Sequence, residues 1–222
     1  MSQAVFITAT DTDAGKTWVT NHLIQALLEQ RENVKALKPI ACGFDADGNN
    51  GDVKELLNSQ GLQHTSDINC YSFAKPAAPS IAAQAEGKKI DPEHLTKWCL
   101  NETAKVDLCL IEGIGGLMVP ITPLYLVSDW LMDMKNMPVI LIIGAKLGCI
   151  NHALLTLFHL SSIGREPAWI IINNTNGKQE INNIKTALLP HLSHNINILE
   201  SGYNQPKTLS PLLDWMKKFI HQ

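Results

Sequence analysis

An α/β architecture with a doubly wound, mostly parallel sheet follows from two features of the chain. Short apolar segments alternate with segments of helical period, and the apolar segments are hydrophobic at successive positions rather than at every second one. Strands apolar on both faces belong in a parallel sheet covered by helices on each side. The 222 residues, 45% of them hydrophobic, supply a core of the required size without disulfides or metal.

Taken in order, residues 5–8 form the first strand. A Thr/Asp/Gly loop follows, then a helix over 16–30 in which Val19, Leu23, Ile24, Leu27 and Leu28 recur at helical spacing. Further strands are expected at 34–37, 106–111, 139–143, 169–172 and 196–199. Helices are expected near 92–104, 128–135, 150–163 and 181–189, with a last one over 209–219 packing back on the sheet. Segment 44–51, rich in Asp, Asn and Gly, and segment 74–80, with two prolines, read as exposed loops. Neither a repeat nor a linker interrupts the chain, so 1–222 reads as one domain. In such sheets ligands bind beyond the carboxyl ends of the strands, which makes the residues just after each strand the functional candidates.

Composition narrows the partners. A net charge of −3 with scattered Lys and Arg offers no field for a nucleic-acid backbone. No apolar run approaches the ~18 residues of a membrane span, and no basic segment precedes the first apolar stretch. A soluble, cytoplasmic protein is expected. Five cysteines, odd in number and never in a Cys-x-x-Cys pair, suggest reduced thiols rather than disulfides or zinc. Charged residues reach only 18%, which points to surface buried against a second subunit.

The first strand runs into Ala9-Thr10-Asp11-Thr12-Asp13-Ala14-Gly15-Lys16-Thr17, ending in the Gly-Lys-Thr of a phosphate-binding loop at a helix start. There the backbone N–H groups converge on an anion, Lys16 can bridge β- and γ-phosphates, and the Thr17 hydroxyl can ligate Mg²⁺. Thr10 occupies the place of the usual first glycine. The second strand ends at Lys38-Pro39; Lys38 either neutralises a transferring phosphoryl group or is a solvated lysine at a strand end. Glu112 closes an apolar strand ahead of Gly113-Ile114-Gly115-Gly116, as a ligand of Mg²⁺ or its water, or as a capping carboxylate. Composition leaves Asp52, read as part of the polar loop, undecided. In Lys146-Leu147-Gly148-Cys149-Ile150-Asn151-His152, Asn151 reads equally as a helix N-cap and His152 as a structural histidine. Cys42 and Cys149 lack a histidine at a nucleophile spacing, which argues against thiol catalysis.

Together, the Thr-Asp-Thr-Asp-Ala-Gly-Lys-Thr loop, Lys38-Pro39 with Gly43, Glu112-Gly113 with Gly115-Gly116, and the string from Lys146 to His152 resemble the dethiobiotin synthetase family over about residues 3–175. The resemblance implies a homodimeric fold of the P-loop NTPase type that closes the ureido ring of dethiobiotin from 7,8-diaminononanoate, CO₂ and ATP. It implies that Asp13, Ala14, Gly15, Lys16, Thr17 and Trp18, together with Gly113, Ile114 and Gly115, bind the nucleotide, with Lys16 and the backbone of residues 15–17 on its phosphates. It implies further that Thr17, Asp52 and Glu112 gather around Mg²⁺, and that Lys38 contacts carbamate and γ-phosphate and is catalytic with Lys16. Asn173, with Asn174 beside it, would read the adenine edge. Thr12, Cys42 and Gly115 would line the diamine pocket, completed by Leu147, Cys149, Ile150 and Asn151 of the partner subunit.

Three positions depart from the family pattern. Ala9 replaces a glycine, which requires a negative φ there. Cys42 replaces a serine or threonine, and a thiol is a poor donor. Glu200-Ser201-Gly202-Tyr203-Asn204 lacks the proline-bearing segment that packs on the base. The alternative reading is a regulatory P-loop ATPase of the partitioning type, but the extra lysine those ATPases carry in the loop is missing.

Overall fold

The computed structural model describes residues 3–192 and 196–220, so the ends of the 1–222 span lie outside the described residues. Strand β1 (Gln3–Ala9), helix α1 (Lys16–Glu29) and strand β2 (Val34–Leu37) form the first strand-helix-strand unit. A short strand β3 (Ile40–Cys42), helix α2 (Gly51–Ser59), strand β4 (Tyr71–Phe73) and helix α3 (Pro79–Ala85) follow. Helix α4 (Pro92–Thr103) leads into β5 (Leu108–Glu112). A small ribbon of β6 (Pro120–Thr122) and β7 (Tyr125–Leu126) then precedes helix α5 (Val127–Asp133). The remainder alternates β8 (Val139–Gly144), α6 (Cys149–Ser162), β9 (Trp169–Asn173), α7 (Ile181–Leu188), β10 (Asn197–Ser201) and α8 (Ser210–Ile220).

Six strands pair in the order β10-β9-β8-β1-β5-β2, every pair parallel. The chain passes from β1 toward β2 on one side and later toward β10 on the other, so both directions of winding start beside β1. This reversal opens a crevice at the carboxyl end of the central strand. As continuous hydrophobicity requires, β1, β5, β8 and β9 are buried on both faces, and Phe6 meets Trp130 of α5 edge-on at 5.1 Å between ring centres. At the opposite edge of the sheet, the Arg165 guanidinium donates to the carbonyls of Leu131, Met134 and Met137 and ties the stretch from α5 to β8 to the connection between α6 and β9.

Several elements differ from the sequence reading. Asp52 lies in the first turn of α2 rather than in a loop. That helix starts because Asn50 caps it, accepting from the Val53 N–H at 3.2 Å, and it persists because Val53, Leu56 and Leu57 are buried. The proline segment likewise turns helical at Pro79, where a fixed φ suits the first turn. Strands β3 and β4 pair in parallel and β6 and β7 antiparallel; at two or three residues each they are too short to carry a readable period. Asn173 is the last residue of its strand instead of the first beyond it, while Glu112 closes its strand as read. The N-cap of α6 is Gly148, at φ 89°, so Asn151 is a third helical residue and not a cap. No helix among the described residues is long and apolar enough to cross a membrane.

Candidate active site

The loop after β1 reaches α1 through two left-handed residues, Asp13 at φ 59° and Gly15 at φ 91°. Gly15 has a second constraint: a Cβ there would lie 2.1 Å from Asn173 Nδ2. That amide donates to the Ala14 carbonyl at 3.1 Å and pins the loop to the end of β9. Gly144, at the end of β8, touches the loop from below, where a Cβ would fall 2.8 Å from Ala14 Cα. No side chain caps α1 and no acidic residue sits in its first turn, so the first N–H groups and the positive end of the helix are left for an anion. Ala9, buried, keeps a negative φ, which accommodates its methyl group.

Lys16 is buried and donates to the carbonyls of Asp11 at 3.1 Å and Gly115 at 2.9 Å. Burial, with the Lys38 ammonium nearby, pulls its pKa down to about 8. Lys38, the residue after β2, is only 4% exposed, which excludes the solvated alternative. Its Nζ donates to Glu112 Oε1 at 2.5 Å and to Asp52 Oδ2 at 3.0 Å. Burial alone would lower the Lys38 pKa, but these two carboxylates hold it above the ordinary lysine range. Burial would likewise raise Asp52, and Lys38 holds it below the usual carboxylate range.

Thr17 Oγ1 donates to the same Glu112 oxygen at 2.7 Å, so Glu112 bridges the phosphate loop and Lys38 rather than capping a helix. Its other oxygen, Oε2, is buried with no hydrogen-bond partner. A buried, unpartnered carboxylate oxygen beside a threonine hydroxyl and a second carboxylate suits a hard cation that also takes phosphate oxygens. Among the described residues no group of three or more His, Cys, Asp or Glu is placed to hold a metal by itself.

A cavity of about 730 Å³ opens over these groups. The loop residues Thr12, Asp13, Gly15, Lys16 and Thr17 form its floor, with Trp18, Ile114 and Gly115 beside them. Toward β2 it is bounded by Lys38, Cys42, Asp52 and Pro76, and toward β9 and β10 by Asn173, Asn174 and Tyr203. Ala14, Glu112 and Gly113 support the floor from beneath and do not line it.

Comparison with known proteins follows the same outline. A family model described as an AAA domain matches residues 3–199. An ATP-dependent dethiobiotin synthetase from Baumannia cicadellinicola subsp. Homalodisca coagulata is 37% identical over 178 residues, 78% of this chain and 79% of its own. One from Legionella pneumophila (strain Paris) is 36% identical over 211 residues, 90% of this chain and 89% of its own. The chain belongs to the dethiobiotin synthetase family. Among solved structures, a ParA family ATPase from Chlorobium tepidum superposes with a TM-score of 0.57 at 13% identity, over 99% of this chain and 90% of its own. The signal recognition particle receptor FtsY from Elizabethkingia anophelis gives 0.56 at 11% identity, over 99% of this chain and 66% of its own. Those two likenesses concern the P-loop NTPase fold alone.

Other residues expected of a dethiobiotin synthetase fall into two groups. Cys42 lines the cavity, and burial, with Glu86 adding, pushes its thiol up to about 11, so it stands protonated and not as a nucleophile. Leu147, Cys149, Ile150 and Asn151 lie outside it. Leu147 is 98% exposed, Cys149 is buried, and Asn151 opens on a second cavity of about 450 Å³ along α6. Lys146 pairs with Asp11 at 2.6 Å, and His152 Nδ1 stands 3.8 Å from the same carboxylate. Sequence reasoning missed Asn50, Glu55, Val119 and Thr175 on the cavity wall. Asn50 caps, and Glu55 falls on, a helix hidden by loop-like composition, and the others carried no signal.

Proposed function

We propose that this chain, as one domain spanning 1–222, converts 7,8-diaminononanoate, CO₂ and ATP into dethiobiotin, ADP and phosphate. The observation that carries this reading is the buried Lys38 ammonium between Glu112 and Asp52, facing the cavity beside a phosphate-binding helix end. One amine of the diamine attacks CO₂, forming a C–N bond and losing a proton to give a carbamate. A carbamate oxygen then attacks the γ-phosphorus and ADP leaves. The second amine attacks the carbamoyl carbon, phosphate leaves, and the ring is closed with loss of a second proton.

No side chain forms a covalent intermediate in this sequence, so the protein acts by position and charge. Lys16 and the N–H groups of the first turn of α1 hold the phosphates. Lys38 meets the carbamate and the γ-phosphate, and cations here favour the deprotonated amine and the anionic carbamate. Thr17, Asp52 and Glu112 would hold Mg²⁺, which when bound neutralises phosphate charge. Asn173 and Asn174 face the base, and Thr12, Cys42 and the Gly115 backbone face the diamine.

The diamine pocket is completed in a homodimer by Leu147, Cys149, Ile150 and Asn151 of the neighbouring copy. The outward position of Leu147 and the exposed Leu155 and Phe158 of α6 support that arrangement. A cytoplasmic location suits the free thiols. Phosphate release from ATP tests the reading: it should depend strictly on both diamine and bicarbonate. Hydrolysis that ignores the diamine and responds to a protein partner would overturn it in favour of a regulatory ATPase.

A further inference from the structure

Helix α2 supplies Asp52, yet little in its own sequence holds it in place. Its buried side chains, Val53, Leu56 and Leu57, are apolar, and non-directional apolar contact resists separation more than sliding or turning. Directional bonds must therefore set where Asp52 stands. One lies at the start of the helix, where the Asn50 amide donates to the Cys42 carbonyl at 2.9 Å. A single anchor leaves α2 free to pivot. The Lys38–Asp52 pair does not supply a second one, because Lys38 is shared with Glu112 and meets the phosphoryl group in the reaction proposed above. The second anchor is five residues on: Asn21 Nδ2 of α1 donates to Glu55 Oε1 at 2.9 Å. Asn21 follows Thr17 by four positions and Glu55 follows Asp52 by three, so the two pairs form successive rungs between the packed helices. In the first rung the Thr17 hydroxyl approaches Asp52.

Stability does not explain the second rung. Asn21 is only 7% exposed, and its Oδ1 is buried with no hydrogen-bond partner. An apolar side chain would avoid that unmade bond. The amide stands there with one half unsatisfied and the other on Glu55, whose carboxylate can only accept and so fixes which way the amide faces. Glu55 itself lines the cavity, on the wall that also carries Asp52. We propose that Asn21 and Glu55 are the positioning pair of the cation site: their bond locks α2 to α1 and so holds Asp52 opposite Thr17 and Glu112. The inference rests on the reading of those three residues as the holders of Mg²⁺. Both members of the pair act through Asp52.

Mn²⁺, which takes the same oxygen ligands as Mg²⁺ and is followed by paramagnetic resonance, is the probe. It is titrated into the full chain with inorganic tripolyphosphate present, and tripolyphosphate is titrated separately without metal. Glu55→Ala and Asn21→Leu should each weaken Mn²⁺ binding by about tenfold or more and leave metal-free tripolyphosphate binding unchanged. The double variant should be no weaker than either single one, since the same bond is lost in all three. Glu55→Gln should bind Mn²⁺ like the unaltered protein, because its amide oxygen accepts from Asn21 as the carboxylate does. Unchanged Mn²⁺ affinity in Glu55→Ala overturns the pair, as do losses that add in the double variant. So does a glutamine variant as weak as alanine, which would assign the effect to charge, or an equal loss of metal-free tripolyphosphate, which would mean a general loosening of the phosphate loop. Asp52→Ala tests the reading beneath: if it binds Mn²⁺ as tightly as the unaltered protein, Asp52 is no ligand and the pair falls with it.

Discussion

Lys38 shows how far single residues explain this site. A lysine after an apolar strand and a glutamate at the end of another were both visible in the sequence, because a charge beside a buried strand is costly unless paired. What the sequence left open was that the two meet each other, since they are 74 positions apart. Removing Lys38 takes away the cation facing the transferring phosphoryl group. Lys38→Ala should therefore lose about 10²-fold or more in diamine-dependent phosphate release, and full turnover would remove its assigned role. Lys38→Arg should not restore the rate, because a planar fork does not fit between Glu112 and Asp52 as a compact ammonium does. Away from the site, Glu102 is pinned by Lys35 at 2.6 Å and by Lys105. Burial would raise its pKa, yet the two lysines hold it below the usual carboxylate range. A depressed folded pKa gives stability that is complete above the unfolded value of ~4.3 and is lost as pH falls through the folded one. Thermal unfolding should show that acid loss. Glu102→Gln should lack it and be less stable at neutral pH by about 1 kcal/mol, or about 2–3 °C.

Among the elements, the four central strands of the main sheet were legible because each is apolar at nearly every successive position, whereas β2 carries Lys35 and β10 has only Ile198 and Leu199 to mark it. Helix α2 was not legible. Its nine residues include Gly51, Asp52 and Asn58, and only tertiary burial of Val53, Leu56 and Leu57 makes it helical. Asp52 was thus hard to place from composition, although the resemblance put it beside the metal ligands. The ends of elements matter as much as their existence. Strand β8 terminates in Gly144 against Ala14 of the phosphate loop, with no room for a methyl group. Gly144→Ala should lift that loop, weakening tripolyphosphate binding by about tenfold while the strand, already paired on both sides, stays folded. Calorimetry together with the far-ultraviolet spectrum checks both halves. A variant that binds normally would show that the loop tolerates the displacement.

At the scale of the whole molecule, the low charged fraction hinted at a covered face, and α6 carries the candidate: Phe158 is 77% exposed and Leu155 beside it 62%. Phe158→Glu should shift sedimentation from dimer to monomer and raise the diamine KM by about tenfold or more, with tripolyphosphate affinity unchanged. A variant that remains dimeric, or that dissociates without a change in KM, would overturn the shared pocket. The parallel sheet has one more consequence, for building on this protein. Because its six strands all point the same way, the floor and the bounding residues of the cavity collect at a single edge, and the turns at the far edge carry none of them. The exposed turn at Arg31, φ 62°, between α1 and β2, is one of these. A reporter domain spliced in there, on flexible linkers, should leave diamine-dependent turnover unchanged.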